Sequence, residues 1–319
     1  MNPASQISFK SVQYCGQGAG PRLIVLGAVH GNETCGTRAI ARLMAELDNG
    51  AVQIINGCLT LVPVANPLAY ARGQRAGERN LNRKLFPTPA PQDFEDRVAN
   101  WLCPLLASHD VLLDLHSFNA HSEPFAMVGP PDNDGPLEPF RHARQERALA
   151  RRLGVRRFVQ GWLRTYGQGV QRRLRGDSRL DLVLRYGVGT TEYMRSTGGY
   201  ALTLECGQHA DPRAPEVAYQ AIVNALAFLG LTASTPPAPV PEAHMEVLTM
   251  CEVHDKLDAG DQFSRDWASF DPVRQGEEIG RRADGTAVVA PFDGVMLFPD
   301  SAADAHCEWY YLARASPGL

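Results

Sequence analysis

The 319-residue chain lacks any apolar run approaching the about 20 residues that a membrane-spanning helix needs. Its N-terminus shows no positive segment followed by an apolar core, so no secretory signal is read there. These absences predict a cytoplasmic protein with no membrane partner. The seven cysteines are odd in number and scattered, and no C-x-x-C pair occurs, which argues against a disulfide framework or a ribbon-type metal site. Reduced, mostly buried thiols are expected; Cys206 draws notice only because it follows Glu205. Low-complexity tracts and internal repeats are absent too. What is present is ordinary for a globular protein, with 44% hydrophobic and 21% charged residues.

Net charge is only −4, but the charges are unevenly placed. From Arg141 to Arg195 fourteen arginines face four acids, whereas from His244 onward fourteen acids face six bases. The basic stretch reads as a solvated helix face, as an attractor for a small anion, or as a partner for the acidic C-terminal region. Few aromatics interleave with it and the whole chain is acidic, so nucleic acid is not expected as a partner.

Short apolar runs at Arg22–Val29, Cys58–Ala65, Asp110–His116 and Tyr200–Glu205 read as strands covered on both faces. Helical spacing of apolar residues appears between them. Ile40, Leu43, Met44 and Leu47 mark one helix; Phe94, Val98, Trp101, Leu102 and Leu105 mark another, which Pro104 should kink or end. Pro215 opens a third, with Gly230 placed to stop it. The alternation predicts an α/β domain with a mainly parallel mixed sheet flanked by helices over residues 1–231. Residues 232–243, containing TASTPPAPVPE, read as a proline-rich linker. Residues 244–319, where short apolar runs alternate with turn sequences such as Ala-Asp-Gly, read as a small β domain.

Three strand ends carry the chemistry. Leu26-Gly27-Ala28-Val29 delivers His30 and Glu33, and Val111–Leu115 delivers His116, with Asp114 two residues earlier on the same strand face. Sites in open α/β sheets lie at this edge, and two His with one Glu form a catalytic zinc set that leaves a position for water. Each residue alone reads more readily as polar loop punctuation or a hydrogen-bonded histidine at a strand end. Glu205 closes the third strand; it is either an ion-pair member or a general base. Asn66-Pro67, Arg72, Arg75, Arg79 and Leu81-Asn82-Arg83 follow the second strand, and guanidinium forks there suit an anionic substrate or simply an exposed basic loop.

Taken in order, His30-Gly-Asn-Glu33, Asn66-Pro67, Leu81-Asn82-Arg83 with Phe86, Asp114-Leu-His116 and Glu205-Cys-Gly207 resemble the succinylglutamate desuccinylase/aspartoacylase family, a branch of the zinc-carboxypeptidase-like hydrolases. The resemblance spans roughly residues 20–230. It implies one Zn2+ per chain on His30, Glu33 and His116, with Glu205 as general base and acid. It implies Arg75 at the scissile carbonyl, and Asn82, Arg83 and Arg195 at the substrate carboxylate. A tyrosine of the C-terminal domain should reach the substrate, and Tyr310 is the candidate. The chain departs from the family in having Asn80 where an Asp usually precedes Leu-Asn-Arg. Val288–Gly294 is similar to a lipoyl-type hairpin, but no lysine sits at its turn, so it reads as architecture.

The function expected on this reading is a zinc-dependent amidohydrolase. Zinc-bound water would attack the amide of an N-acyl amino acid or related small carboxylate, so the partner is a small anionic acylated substrate. A homo-oligomer is left open. A zinc carboxypeptidase acting on small peptides would use the same centre. A non-enzymatic anion- or nucleic-acid-binding module is the alternative of a different class.

Overall fold

The computed structural model describes residues 7–120, 122–173 and 184–319. At its centre, strands β2 (Gly18–Leu26), β3 (Asn56–Val62), β4 (Val111–Phe118) and β7 (Tyr200–Gln208) pair in parallel in the order β3-β2-β4-β7. The four apolar runs of the sequence form these strands, with ends shifted by up to four residues. Alternate residues of β2 feed different cores. Leu23 and Val25 join Ile40 and Leu43 of α1 (Cys35–Asp48) and Ile222 and Ala225 of α7 (Ala214–Phe228). Ile24 and Leu26 join Val98 and Leu102 of α3 (Phe94–Ala107) and Met194 of α6 (Thr190–Ser196). Burial on both faces is why these strands read as unbroken apolar runs. Helix α3 continues past Pro104 to Ala107, so the proline does not end it.

The sheet does not stop at β7. It extends through β5 (Phe125–Met127), β6 (Arg157–Gln160), β8 (Glu246–Asp255), β14 (Glu308–Ala315), β13 (Gly294–Leu297) and β10 (Pro272–Val273), so that with β1 (Val12–Cys15) at the other edge it has eleven strands. A separate antiparallel three-stranded sheet holds β9 (Gln262–Phe263), β11 (Glu278–Arg281) and β12 (Ala287–Val289). The fold is the mixed α/β sheet with a small C-terminal β unit that the sequence predicts. Because β6 pairs in parallel with β8, the C-terminal strands continue the central sheet across the proline-rich segment.

Part of the uneven charge is paired at this junction. Arg157 pairs with Glu246 at 2.6 Å, Arg172 pairs with Glu252, and Arg151 approaches Glu242 at 3.7 Å. Arg157 and Arg172 of the basic stretch thus meet the acidic C-terminal region, and Arg151 meets the proline-rich segment; residues 174–183 of that stretch lie outside the described residues.

One expectation is overturned. Cys15 and Cys58 form a disulfide, so the cysteines are not all free thiols. The antiparallel register of β1 on β3 sets these two residues opposite each other, with Cα atoms 4.2 Å apart. That pairing depends on a strand register, and cysteine spacing in the sequence does not encode it. No described helix is long and apolar enough to cross a membrane.

Candidate metal centre

Beyond Leu26 the chain leaves the sheet through Gly27 and Ala28, the latter in the left-handed region at φ 48°. A non-glycine residue there is strained, and such strain gathers at functional loops. Gly31 follows His30 because helix α2 (Pro67–Arg72) packs directly on it; a Cβ at that position would lie 2.0 Å from the Ala69 carbonyl carbon. The tight loop returns Glu33 toward the sheet, just before α1 begins.

There the carboxylate of Glu33 bridges two imidazoles. Its Oε1 lies 2.8 Å from His30 Nδ1, and its Oε2 lies 2.8 Å from His116 Nδ1. The Ser117 backbone N–H also donates to Oε2 at 3.1 Å, and Arg75 Nη1 donates to Oε1 at 2.9 Å. All three residues are buried, and one ligand atom from each lies within 4.8 Å of the others. The far nitrogens have partners of their own. His30 Nε2 is 3.0 Å from Asn80 Oδ1, and His116 Nε2 is 3.0 Å from Asp114 Oδ2, although without hydrogen-bonding direction. Oxygen partners at the outer nitrogen orient a metal-binding histidine and fix its tautomer. Asn80, the departure from the family pattern, therefore supplies its oxygen to His30 and also accepts from the Asn82 N–H at 2.9 Å.

The electrostatics suit a cation. Burial lowers the His30 pKa to about 4, with Arg75 adding to the effect, so this ring is neutral at ordinary pH. Burial alone would raise Glu33, but the two histidines outweigh it and hold the carboxyl well below its usual range. Burial would lower His116, yet Asp114 and Glu33 together push it well above. A neutral His30, an ionised Glu33 and an excess of negative charge around His116 are what a divalent cation requires of its ligands. Asp114 Oδ1, His116 Nε2 and Glu205 Oε2 are buried with no hydrogen-bond partner among the described residues, an uncommon concentration of unmet polar atoms. The residues present fit a single metal.

Glu205 stands beside His116 because β4 and β7 pair these two residues in register. Neighbours in a sheet lie about 4.8 Å apart and point to the same face. Burial raises the Glu205 carboxyl to about 7; among the nearby charges His116 and Arg75 oppose the rise, and Glu33 and Asp114 add to it. A carboxyl poised near neutrality can both accept and return a proton.

The arginine loop divides into structural and available members. Glu95, buried at the start of α3, accepts from Asn66 Nδ2 at 2.8 Å and from the N–H groups of Gly77, Glu78 and Arg79. Asn66 also caps α2, so the Asn-Pro motif shapes the loop. Arg79 is spent on Asp93 and Asp96. Arg75, half-exposed, reaches Glu33 from outside. Arg83 lies 4.8 Å over the Trp162 ring, and Asn82 Oδ1 accepts from the Thr190 N–H at 2.9 Å. Thr190 in turn donates to Asp114 Oδ2, which ties the loop to the His116 strand.

Two expected substrate residues are not brought to this cluster. Arg195 is buried among Glu146, at 2.7 Å, and Glu138, at 2.6 Å, and also donates to the Ala201 carbonyl. Its guanidinium serves the protein interior, and burial raises Glu138 to about 7 despite it. Tyr310 points into the C-terminal core, stacked on His254 at 4.7 Å. Its neighbour Tyr311 faces the opposite side, in the cluster with Phe118, Phe125 and Trp162, where the Arg83 charge acts on it. Choosing between adjacent tyrosines requires the strand's facing, which the bulges in the β8–β14 pairing obscure. Glu95, Thr190 and His209 were also not singled out by sequence. Glu95 reads there only as an acid in a helix's first turn, and Thr190 and His209 carry no pattern.

The buried His30–Glu33–His116 set at the C-terminal edge of the α/β sheet fits a single metal ion. Residues 19–155 match the model of the Succinylglutamate desuccinylase/Aspartoacylase catalytic domain. Over 105 residues it is 33% identical to N-alpha-acetyl-L-2,4-diaminobutyric acid deacetylase of Halomonas elongata, covering 32% of this chain and 30% of that protein. The matched segment thus spans under a third of this curated relative. Solved structures are similar along most of their length. A succinylglutamate desuccinylase/aspartoacylase from Rhodobacter sphaeroides has a TM-score of 0.71 at 19% identity, covering 97% of this chain and 90% of that one. The product-bound ectoine utilization protein EutE (DoeB) from Ruegeria pomeroyi has a TM-score of 0.68 at 21% identity, covering 94% and 87%. At such identities these likenesses show the fold.

Proposed function

We propose that the chain is a zinc-dependent amidohydrolase that removes the acyl group from an N-acylated amino acid. The observation that carries this reading is the buried His30–Glu33–His116 set with Glu205 one strand away. Bound by these three residues, zinc supplies a Lewis acid and brings the pKa of water to about 7.

The side chains supply the rest. Glu205 takes the proton from the attacking water and returns it to the leaving nitrogen, a double role suited to a carboxyl raised to about 7. Arg75 reaches the cluster from the solvent side with its charge aimed at Glu33, and there stabilises negative charge growing on the carbonyl oxygen. Asn82 and Arg83 hold the substrate carboxylate, their loop anchored through Thr190 and the Glu95 hub. Cytoplasmic location belongs to the same proposal. The acylated diamino acid named for the Halomonas relative makes that class of compound the first substrate to test.

A hydrolysis screen of N-acetyl and N-succinyl amino acids and diamino acids, with and without added zinc, tests the reading. Zinc-dependent release of free amine supports it. Turnover of dipeptides alone would assign the centre to a peptidase, and no turnover with zinc bound would remove the enzyme reading.

A further inference from the structure

Strand β7 carries an irregularity just after the general base. His116 pairs with Glu205, but Phe118 pairs with Gln208, so β7 spends one residue more than β4 over the same stretch. Gly207 sits in this bulge at φ 127°, a conformation that side chains rarely adopt. Bulges bend a strand and re-aim the side chains that follow, often beside active sites. Here the residue re-aimed is His209. Its backbone N–H donates to the Phe118 carbonyl at 2.9 Å, and its Nδ1 lies 2.8 Å from Ser117 Oγ. Ser117 is the residue after the ligand His116, and its own N–H holds Glu33.

The ring is therefore fixed at three levels: by the bulge, by its backbone bond and by Ser117. Its position is within the field of the centre, since Glu33, Arg75 and His116 all act on it. Only one ring nitrogen is used. Nε2 has no hydrogen bond among the described residues, and the residue is half-buried. An imidazole braced this firmly with one nitrogen uncommitted is arranged to bind.

We propose that His209 is a substrate-binding residue, its Nε2 making a hydrogen bond to a polar group of the acylated amino acid other than the scissile amide. The proposal rests on the deacylase reading, and Ser117 acts as its positioning residue. The substitutions Gln and Asn separate the two nitrogens. A glutamine side chain places its amide near the position of Nε2, and an asparagine places it near Nδ1.

The test measures KM and kcat for the best substrate of the screen, with metal content and melting temperature as controls. Losing one hydrogen bond to substrate is worth roughly 1 kcal/mol, about fivefold in affinity. His209→Ala should raise KM about five- to tenfold with kcat little changed, His209→Gln should restore much of the loss, and His209→Asn should not. Ser117→Ala should raise KM by a smaller factor. Rescue by Asn and not by Gln would overturn the proposal, because the ring would then serve only to hold Ser117. Unchanged KM in His209→Ala, or loss of metal, would overturn it as well. Calorimetric binding of N-acetyl-L-2,4-diaminobutyrate to Glu205→Gln, with and without His209→Ala, keeps the two readings apart. Absence of turnover in the wild type contradicts the deacylase reading, whereas equal affinity of the two variants contradicts the role of His209.

Discussion

Two clusters of buried charge are built from similar groups and differ in how completely their atoms are used. Around Arg195, Glu146 accepts from the guanidinium and from the N–H groups of Gly129 and Ala201, while Glu192 accepts from the Gly189 N–H and Thr191 Oγ. Around Glu33, the neighbouring Asp114, His116 and Glu205 each leave one buried atom without a hydrogen bond. A saturated cluster ties the structure together and has nothing left to offer a ligand. An unsaturated one keeps polar atoms desolvated at a cost, which is recovered only when something binds. Burial and charge are shared by both clusters; the unmet atoms tell them apart.

Mutations can break this comparison, and the largest effect is expected at the unsaturated cluster. His116→Ala should abolish metal binding and take turnover below detection, read by metal analysis and amine release. Glu205→Gln should retain the metal and lose about 10²- to 10⁴-fold in kcat, the usual contribution of a general base. At the saturated cluster the pattern reverses. Arg195→Ala strands Glu138 and Glu146 in the interior and should cost about 3–5 kcal/mol by denaturant unfolding, while the folded fraction keeps its metal. If Arg195→Ala instead raised KM without loss of stability, the division between the clusters would be wrong.

The pH dependence sharpens the same division. Glu205 works as a base only when ionised, and burial raises its pKa to about 7. Activity should therefore fall as pH drops through that value, and a cation bound nearby shifts the limb lower. The profile of kcat/KM should thus show an acid limb at or below about pH 7 that is absent from the residual activity of Glu205→Gln. The smallest effect concerns the tyrosines. Tyr310→Phe should leave KM within about twofold, since the side chain is buried in the C-terminal core, away from the His–Glu–His cluster; Tyr311→Phe, on the Arg83 side, should change it more.

The strands and helices were legible because both faces of each central strand are buried, so their apolar runs are unbroken. The buried His30–Glu33–His116 cluster was legible because it lies at strand ends in two compact motifs, His30–Glu33 and Asp114–His116. Roles that depend on packing were not. Arg195 stands ten residues before Glu205, a spacing that says nothing of Glu138 and Glu146 closing over it. Tyr310 and Tyr311 are adjacent, and only the strand's facing separates them. The Cys15–Cys58 bond required the β1–β3 register, and His209 required a bulge at Gly207.

Metal analysis of the purified wild-type protein and of His116→Ala tests the central claim most directly. The account predicts one zinc per folded wild-type chain and none in the variant, with both proteins folded. A wild-type protein that neither contains nor takes up a divalent metal, or a variant that binds it equally well, would contradict the account.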